Sequence, residues 1–357
     1  MKTNRRRFIS LTSAALSAGA SSSFGEQPSK NLAEGFRTTT VSGLGGVAIG
    51  NGFKPTSDED ARAALKQSWE SGVRSFDTAP FYGFGLSEHR FGRALSEYPR
   101  DEFTLSTKVG RLLKPDPDAK GDLWKKVPPF SPEIDYSASA TRRSIEDSLQ
   151  RLGLHRIDIA YIHDLSPDFF QDEWLEHFEV ARKGAMVELE KMKEEGIIKA
   201  WGLGVNTLPP LLKTLEVAQP DVFLSACQYS LVDHEEGLEK LLPKCEEKGV
   251  SIVVGAPLNF GFLSGRDRFN YGDTIPDGML QKRAAIQKVA DEFRVDLRTA
   301  ALQFSAAPKQ VRSVIPGARN AKQARENAAS FAAKIPAEFW KELKKTNLIS
   351  SNAPEPS

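Results

Sequence analysis

An α/β fold of the (β/α)8 TIM-barrel class is what this 357-residue chain predicts, on three observations. Short apolar runs alternate with amphipathic stretches of ten to fifteen residues, which is the pattern of repeated βαβ units on a parallel sheet. Eight such runs occur, which favours a closed barrel over an open sheet. No shift in composition or linker divides the chain, and one barrel with loops accounts for its length.

In order, the predicted strands are Val47–Ile49, Ser75–Asp77, Phe103–Val109, Ile157–His163, Ala200–Val205, Val222–Ala226, Ser251–Gly255 and Val311–Ile315. Helices are expected over Thr56–Ser71, Ser87–Ser96, Ser137–Arg151, Met186–Glu195, Leu208–Val217, Glu235–Lys248, Met279–Phe293, Leu297–Ala306 and Asn320–Ala332. Pro336–Lys345 adds a terminal helix, so the barrel unit runs over 37–345 with a tail at 346–357. The stretch Lys114–Asp135, rich in Pro, Asp and Lys, reads as a long loop over the barrel mouth.

Charge and cysteine content narrow the function. With 48 basic and 47 acidic residues the chain has no charge field to attract nucleic acid. Cys227 and Cys245 are the only cysteines, too few for a disulfide framework, and no Cys/His cluster suggests a metal. At the N-terminus, Arg5 and Arg6 precede Phe8 and a short apolar run to Ala20, then small residues to Gly25. Residues 1–25 read as a twin-arginine export signal that delivers the folded protein to the periplasm through the export machinery. A disordered basic tail on a cytoplasmic protein is the alternative. The apolar run is too short for a stable membrane span, which needs roughly 20 residues.

Gly43-Leu44-Gly45-Gly46-Val47-Ala48 satisfies the glycine pattern of open dinucleotide-binding folds. That motif must open a helix so that the helix N-terminus meets a pyrophosphate. Here Gly50, Gly52 and Pro55 follow, and no acidic residue stands about twenty positions on. The match carries no such site.

Barrel active sites lie at the C-terminal ends of the strands. Asp77 and His163 close two strands, Lys108 stands near the end of a third, and Tyr82 follows Asp77 in its loop. Singly each has a bland reading: a turn aspartate, a solvated lysine, a packed tyrosine. Together they compose an acid/base. A phenol titrates near 10 unaided, and an adjacent ammonium is expected to lower that value. Aspartate would orient the lysine, and histidine would hold a substrate oxygen. Such a set suits a carbonyl gaining hydride or an alcohol losing it, with the hydride handled by a cofactor.

Asp77-Thr78-Ala79-Pro80-Phe81-Tyr82-Gly83 with Ser87-Glu88, then Ser106-Thr107-Lys108 and Tyr161-Ile162-His163, resemble in order the signature blocks of the aldo-keto reductases. The resemblance spans roughly 37 to 333. It implies an NAD or NADP cofactor and a small-molecule carbonyl or sugar substrate. It places Gly46, Asn206, Gln228, Ala256, Pro257, Leu258, Gly317, Arg319, Gln323, Glu326 and Asn327 in the cofactor site. Phe84–Arg90, Arg111-Leu112-Leu113 and Asp135-Tyr136-Ser137 resemble the sugar and pyridoxal dehydrogenase branch, which oxidises with NAD(P)+. An NADPH-dependent aldehyde or ketone reductase is the alternative.

Three departures from the family follow. Ala226 stands where a Gln is usual, and Gln228 is expected to compensate. Gly255 stands where an aromatic ring often meets nicotinamide. Gly317 and Gln323 replace the two usual cations for a 2′-phosphate, leaving Arg319 and a lean toward NAD+. Two other classes compete. A cofactor-binding barrel without turnover would more often have lost Tyr82 or Lys108. A metal hydrolase built on His163 and Asp164 would lack a His-x-His pair.

The export reading is checked by replacing Arg5 and Arg6 with Lys. The variant should stay in the cytoplasm with its N-terminus uncleaved, and its recovery from the periplasm would refute the signal.

Overall fold

In a computed structural model, which describes residues 35–272 and 274–356, eight parallel strands follow one another around a barrel. They are β1 (Gly43–Gly45), β2 (Ser75–Asp77), β3 (Thr104–Val109), β6 (Ile157–His163), β7 (Ile198–Val205), β8 (Val222–Ala226), β9 (Ser251–Gly255) and β10 (Val311–Ile315). Between β3 and β6 an antiparallel ribbon, β4 (Arg111–Pro115) and β5 (Phe130–Ile134), stands outside the barrel. Closure between β1 and β10 is made by parallel bridges Ser42–Val314 and Gly45–Gly317, with Gly45 N–H donating to Pro316 O at 3.1 Å. The segment around Arg5 and Arg6 lies outside the described residues.

The helices in chain order are α1 (Asp58–Glu70), α2 (Leu86–Leu95), α3 (Ala138–Leu152), α4 (Pro167–Phe170), α5 (Trp174–Lys183), α6 (Ala185–Glu194), α7 (Leu208–Val217), α8 (Leu242–Lys248), α9 (Met279–Phe293), α10 (Leu297–Ala306), α11 (Ala321–Ala332) and α12 (Ala337–Lys345). Side-chain caps start several of them. Ser57, Ser137, Asp296 and Asn320 accept from the third residue on, which satisfies an N–H that has no partner within the helix. Among the described residues no helix is long and apolar enough to cross a membrane.

Four sequence expectations need correction. The first strand is Gly43–Gly45, and Val47–Ile49 forms the turn after it. The strand has no apolar β-branched run because closure demands bare backbone. A Cβ on Gly43 would lie 2.7 Å from Ile315 Cγ2, and one on Gly45 2.8 Å from Ile315 O. The supposed loop Lys114–Asp135 contains most of the β4–β5 ribbon. Pro115 and Pro132 argue against a central strand, but a two-stranded ribbon has only edges, where proline is tolerated. Helices α4 and α5 were unforeseen, since exposed Leu175 and Val180 blur the helical stripe that Phe178 and Ala181 bury. The helix expected over Glu235–Lys248 opens into a π-turn at Gly237–Leu241 before α8. Pro243, with no N–H to give, stands where the pitch changes.

A small cluster inside the barrel (Ile159, Tyr161, Ala200, Val222, Leu224 and Val253 among it) is separate from the larger core between strands and helices. The tail after α12 packs on this outer core through Ile349 and Ala353. Its Ser350 N–H donates to His234 Nε2 at 3.1 Å.

Gly92 in α2 lies against the Leu152 carbonyl at the end of α3, inside the reach of any Cβ. On helix propensity alone, Gly→Ala would stabilise by about 1 kcal/mol. Here overpacking dominates, at a cost of about 1–3 kcal/mol. Gly92→Ala should therefore lower the urea midpoint, and a raised midpoint would show that the contact gives way.

Candidate active site

Asp77, Lys108 and His163 arrive at one end of the barrel because β2, β3 and β6 are adjacent and parallel, with Asp77 opposite Ser106 and Lys108 opposite Tyr161. Lys108 Nζ donates to both carboxylate oxygens of Asp77, at 2.9 and 2.7 Å, and to Thr78 O at 2.9 Å. Ser106 Oγ adds a bond to Asp77 Oδ1 at 2.7 Å. Burial pushes the Asp77 carboxyl up and the Lys108 ammonium down, and each opposes the other's shift. The short bidentate contact keeps both ionised.

Tyr82 comes from the loop after β2. The Lys108 ammonium sits 4.6 Å from the centre of its ring, over the π-face, and His163 meets the ring edge-on at 5.6 Å. The phenol is held well above its usual value, by burial first and then by the neighbouring Asp77 carboxylate. Burial and the carboxylate outweigh the lowering expected from Lys108, whose ammonium is shared with Asp77 and Thr78. Tyr82 is thus a neutral phenol at ordinary pH. His163 is pushed the other way, well below the usual imidazole value, by burial and then by the Arg111 and Lys108 cations. The ring is neutral too.

The remaining motif residues serve as supports. Ser87 Oγ bridges Gly46 O at 3.1 Å and the Thr78 hydroxyl at 2.8 Å. Glu88, fully buried, accepts from Thr107 Oγ1 and Arg151 Nε, both at 2.6 Å. Tyr136 gives its hydroxyl to His163 O at 2.8 Å, which fixes the backbone of the histidine. Trp124, carried between β4 and β5, packs 5.4 Å from both Tyr82 and Phe81. Trp124 thus covers one side of the Tyr82 ring and is backed by Phe81.

A cleft of about 370 Å³ leads away from Asp77 and Tyr82 along the ends of β8, β9 and β10. Of the residues assigned to the cofactor, Gly46, Ala256, Pro257, Leu258, Gly317, Arg319, Gln323, Glu326 and Asn327 line it. Asn206 and Gln228 stand apart from that lining. They bond to one another, Gln228 Nε2 to Asn206 O at 2.6 Å, and Asn206 Nδ2 reaches Asp168 Oδ2 at 3.0 Å.

The cation count at this site differs from the sequence expectation. Arg319 donates to Gly52 O, to Lys54 O and to Thr56 Oγ1, clasping the turn after β1 to the start of α11. Arg266, Arg268 and Arg298 also line the cleft. Arg298 pairs with Glu326 at 2.8 Å, and Arg268 stacks on Phe53 at 3.7 Å. Arg266 is exposed. The stretch 259–272, between β9 and α9, brings Arg266 and Arg268 along with Phe260 and Tyr271. Sequence reasoning passed over it because glycines, aromatics and arginines in a loop have no period. Two arginines within three residues, in the loop between β9 and α9, were the available signal. With a phenol at one end and guanidinium groups toward the other, the cleft matches a dinucleotide's reactive ring and phosphates.

Comparison with known proteins agrees with this geometry. The model of the Aldo/keto reductase family matches residues 43–348. The chain is 36% identical to D-threo-aldose 1-dehydrogenase of a Pseudomonas species, over 86% of this chain and 94% of that protein. It is also 36% identical to pyridoxal 4-dehydrogenase of Microbacterium luteolum, over 88% and 95% respectively. The holo form of an aldo-keto reductase from Bacillus halodurans superposes with a TM-score of 0.65 at 25% identity, covering 90% of this chain and 98% of that one. The chain belongs to the aldo/keto reductase family and is an NAD(P)-dependent oxidoreductase acting on CH–OH or carbonyl groups.

Proposed function

We propose that this enzyme oxidises the anomeric hydroxyl of an aldose to a lactone, or the hemiacetal of pyridoxal in the same way, with Tyr82 as the proton shuttle. The observation that carries the reading is the Tyr82 phenol, flanked by the Lys108–Asp77 pair and by His163, at the inner end of the cofactor cleft. The names of the two dehydrogenase relatives support the substrate class and the oxidative direction. Reduction of an aldehyde or ketone is the same chemistry reversed. Its specific support is the neutral phenol, which is the form that donates a proton.

When bound, the cofactor supplies the hydride acceptor. The chain supplies the rest. His163 donates from its ring to the reacting oxygen and fixes its direction. Tyr82 Oη takes the hydroxyl proton in oxidation, or gives one in reduction. Lys108, over the ring face, offsets the charge of the phenolate, and Asp77 keeps Lys108 in place. At the cleft's other end, Arg266 and Arg268 provide cations for a 2′-phosphate. With these cations in the cleft beside Arg319, the enzyme accepts either NAD+ or NADP+ despite Gly317 and Gln323. The N-terminal segment is proposed to direct export of the folded enzyme.

Two outcomes check this. With its phenol well above neutrality, Tyr82 must lose its proton before it can accept one. Oxidation by the wild type should therefore accelerate with pH through the alkaline range, while reduction stays flat. Tyr82→Phe should lower kcat by ~10²–10⁴, the range for lost general acid/base catalysis, abolish the pH rise and leave cofactor affinity unchanged. Near-normal turnover in that variant would refute the assignment. For the cofactor, Arg266→Ala should weaken NADP+ about tenfold, ~1.4 kcal/mol, and leave NAD+ within a few-fold. Equal loss for both would place Arg266 on the shared phosphates instead.

A further inference from the structure

Next to His163 lies a buried ion pair that the proton-transfer steps above do not use. Arg111, only 2% exposed, opens β4 one residue beyond the glycine that follows β3. Its Nη2 donates to Asp164 Oδ2 at 2.8 Å. Its Nε and Nη1 are enclosed and have no hydrogen-bond partner. The guanidinium is held between the rings of Phe81 and Phe169, at 4.6 and 4.3 Å. Asp164 follows β6 directly, with a left-handed φ of 47° and its N–H tied to Gly204 O at 3.0 Å. An aspartate tolerates that conformation better than most residues. The turn directs the carboxylate back across the histidine, and Asp164 Oδ2 lies 3.6 Å from His163 Nε2. His163 Nδ1 is enclosed without a partner.

We propose that Arg111 and Asp164 are positioning residues for His163: the carboxylate, anchored by the guanidinium, places the ring proton on Nε2 and turns that N–H toward the reacting oxygen. A neutral imidazole has one N–H, and its tautomer follows the hydrogen-bonding and electrostatic demands on the two nitrogens. Among the described residues nothing on the Nδ1 side accepts a proton, while a carboxylate oxygen faces Nε2. At 3.6 Å the carboxylate is too distant to capture the N–H in a hydrogen bond. It selects the tautomer and leaves the donor free for a substrate oxygen. Arg111 has a second effect. Without it, Asp164 would be a bare carboxylate beside the imidazole and would favour the imidazolium. The other groups facing this site are Lys108 from β3, Tyr82 from the loop after β2, Tyr136 through the histidine carbonyl, and Asp168 toward Asp164.

This inference rests on His163 as the donor to the substrate oxygen, and the two ideas fail separately. Substitution of His163 by Asn tests the donor through activity. The tautomer is read in the ligand-free full-length protein by nitrogen NMR of labelled histidine. The chain has five histidines, so loss of one signal in the His163→Asn variant assigns it. In the wild type, His163 should be a neutral Nε2–H tautomer from pH 5 to 8. Asp164→Asn should shift it toward Nδ1–H and raise the KM for substrate about tenfold, the scale of one oriented hydrogen bond, with cofactor affinity unchanged. Arg111→Met should make His163 titrate within that pH window, and Arg111→Lys should restore the wild-type behaviour. An Nδ1–H tautomer in the wild type would overturn the proposal without any variant having to fold. So would an unaltered histidine signal in both Asp164→Asn and Arg111→Met.

Discussion

The Lys108–Asp77 contact is the constraint around which this active end is arranged. Two charges are almost fully removed from water, which is costly unless each meets the other and its remaining donors and acceptors are satisfied. Here they are, by Thr78 O and Ser106 Oγ. Removing one partner from such a pair costs about 3–5 kcal/mol, because the other is left buried and uncompensated. The pair joins the ends of β2 and β3, so the loop that carries Tyr82 begins from a fixed point. It also commits the ammonium charge. Lys108 faces the Tyr82 ring, but burial and the Asp77 carboxylate outweigh it, and the phenol stays protonated.

A second layer secures this arrangement. Glu88 is held between Thr107 and Arg151, and Ser87 links the turn at Gly46 to Thr78. Tyr136 fixes the His163 carbonyl from the opposite side. These residues belong to the same sequence blocks as the acid/base, yet they touch backbone and one another. The local signature therefore combines two kinds of residue, those that face the cleft and those that keep the first kind still. Their spacing along the chain does not separate the two. Burial and hydrogen-bond partners do.

Along the cleft the arginines differ in the partners they already hold. Arg319 lines the cleft while its guanidinium is bonded to the turn between β1 and α1. Arg266 and Arg268, silent in the sequence, are brought to the cleft by a loop that crosses it between β9 and α9. A cation's function depends on which acceptors are already within its reach, and a sequence does not state them.

What the sequence by itself determined is the part governed by local periodicity and by strand ends. Seven of the eight barrel strands, most of the helices around them, and the placing of Asp77, Tyr82, Lys108 and His163 on one face follow from alternation and from chain order. The first strand escaped because its glycines answer to a neighbour more than 260 residues away, at Ile315. The β4–β5 ribbon escaped because its prolines are forbidden only in a central strand. Tertiary structure alone decided how deeply Tyr82 is buried, the partners of Arg319 and Arg111, and the cations that meet the cleft. Each depends on burial and on pairings between residues distant in the chain, and electrostatic free energy in a folded protein is set by those distances and by how far water is excluded.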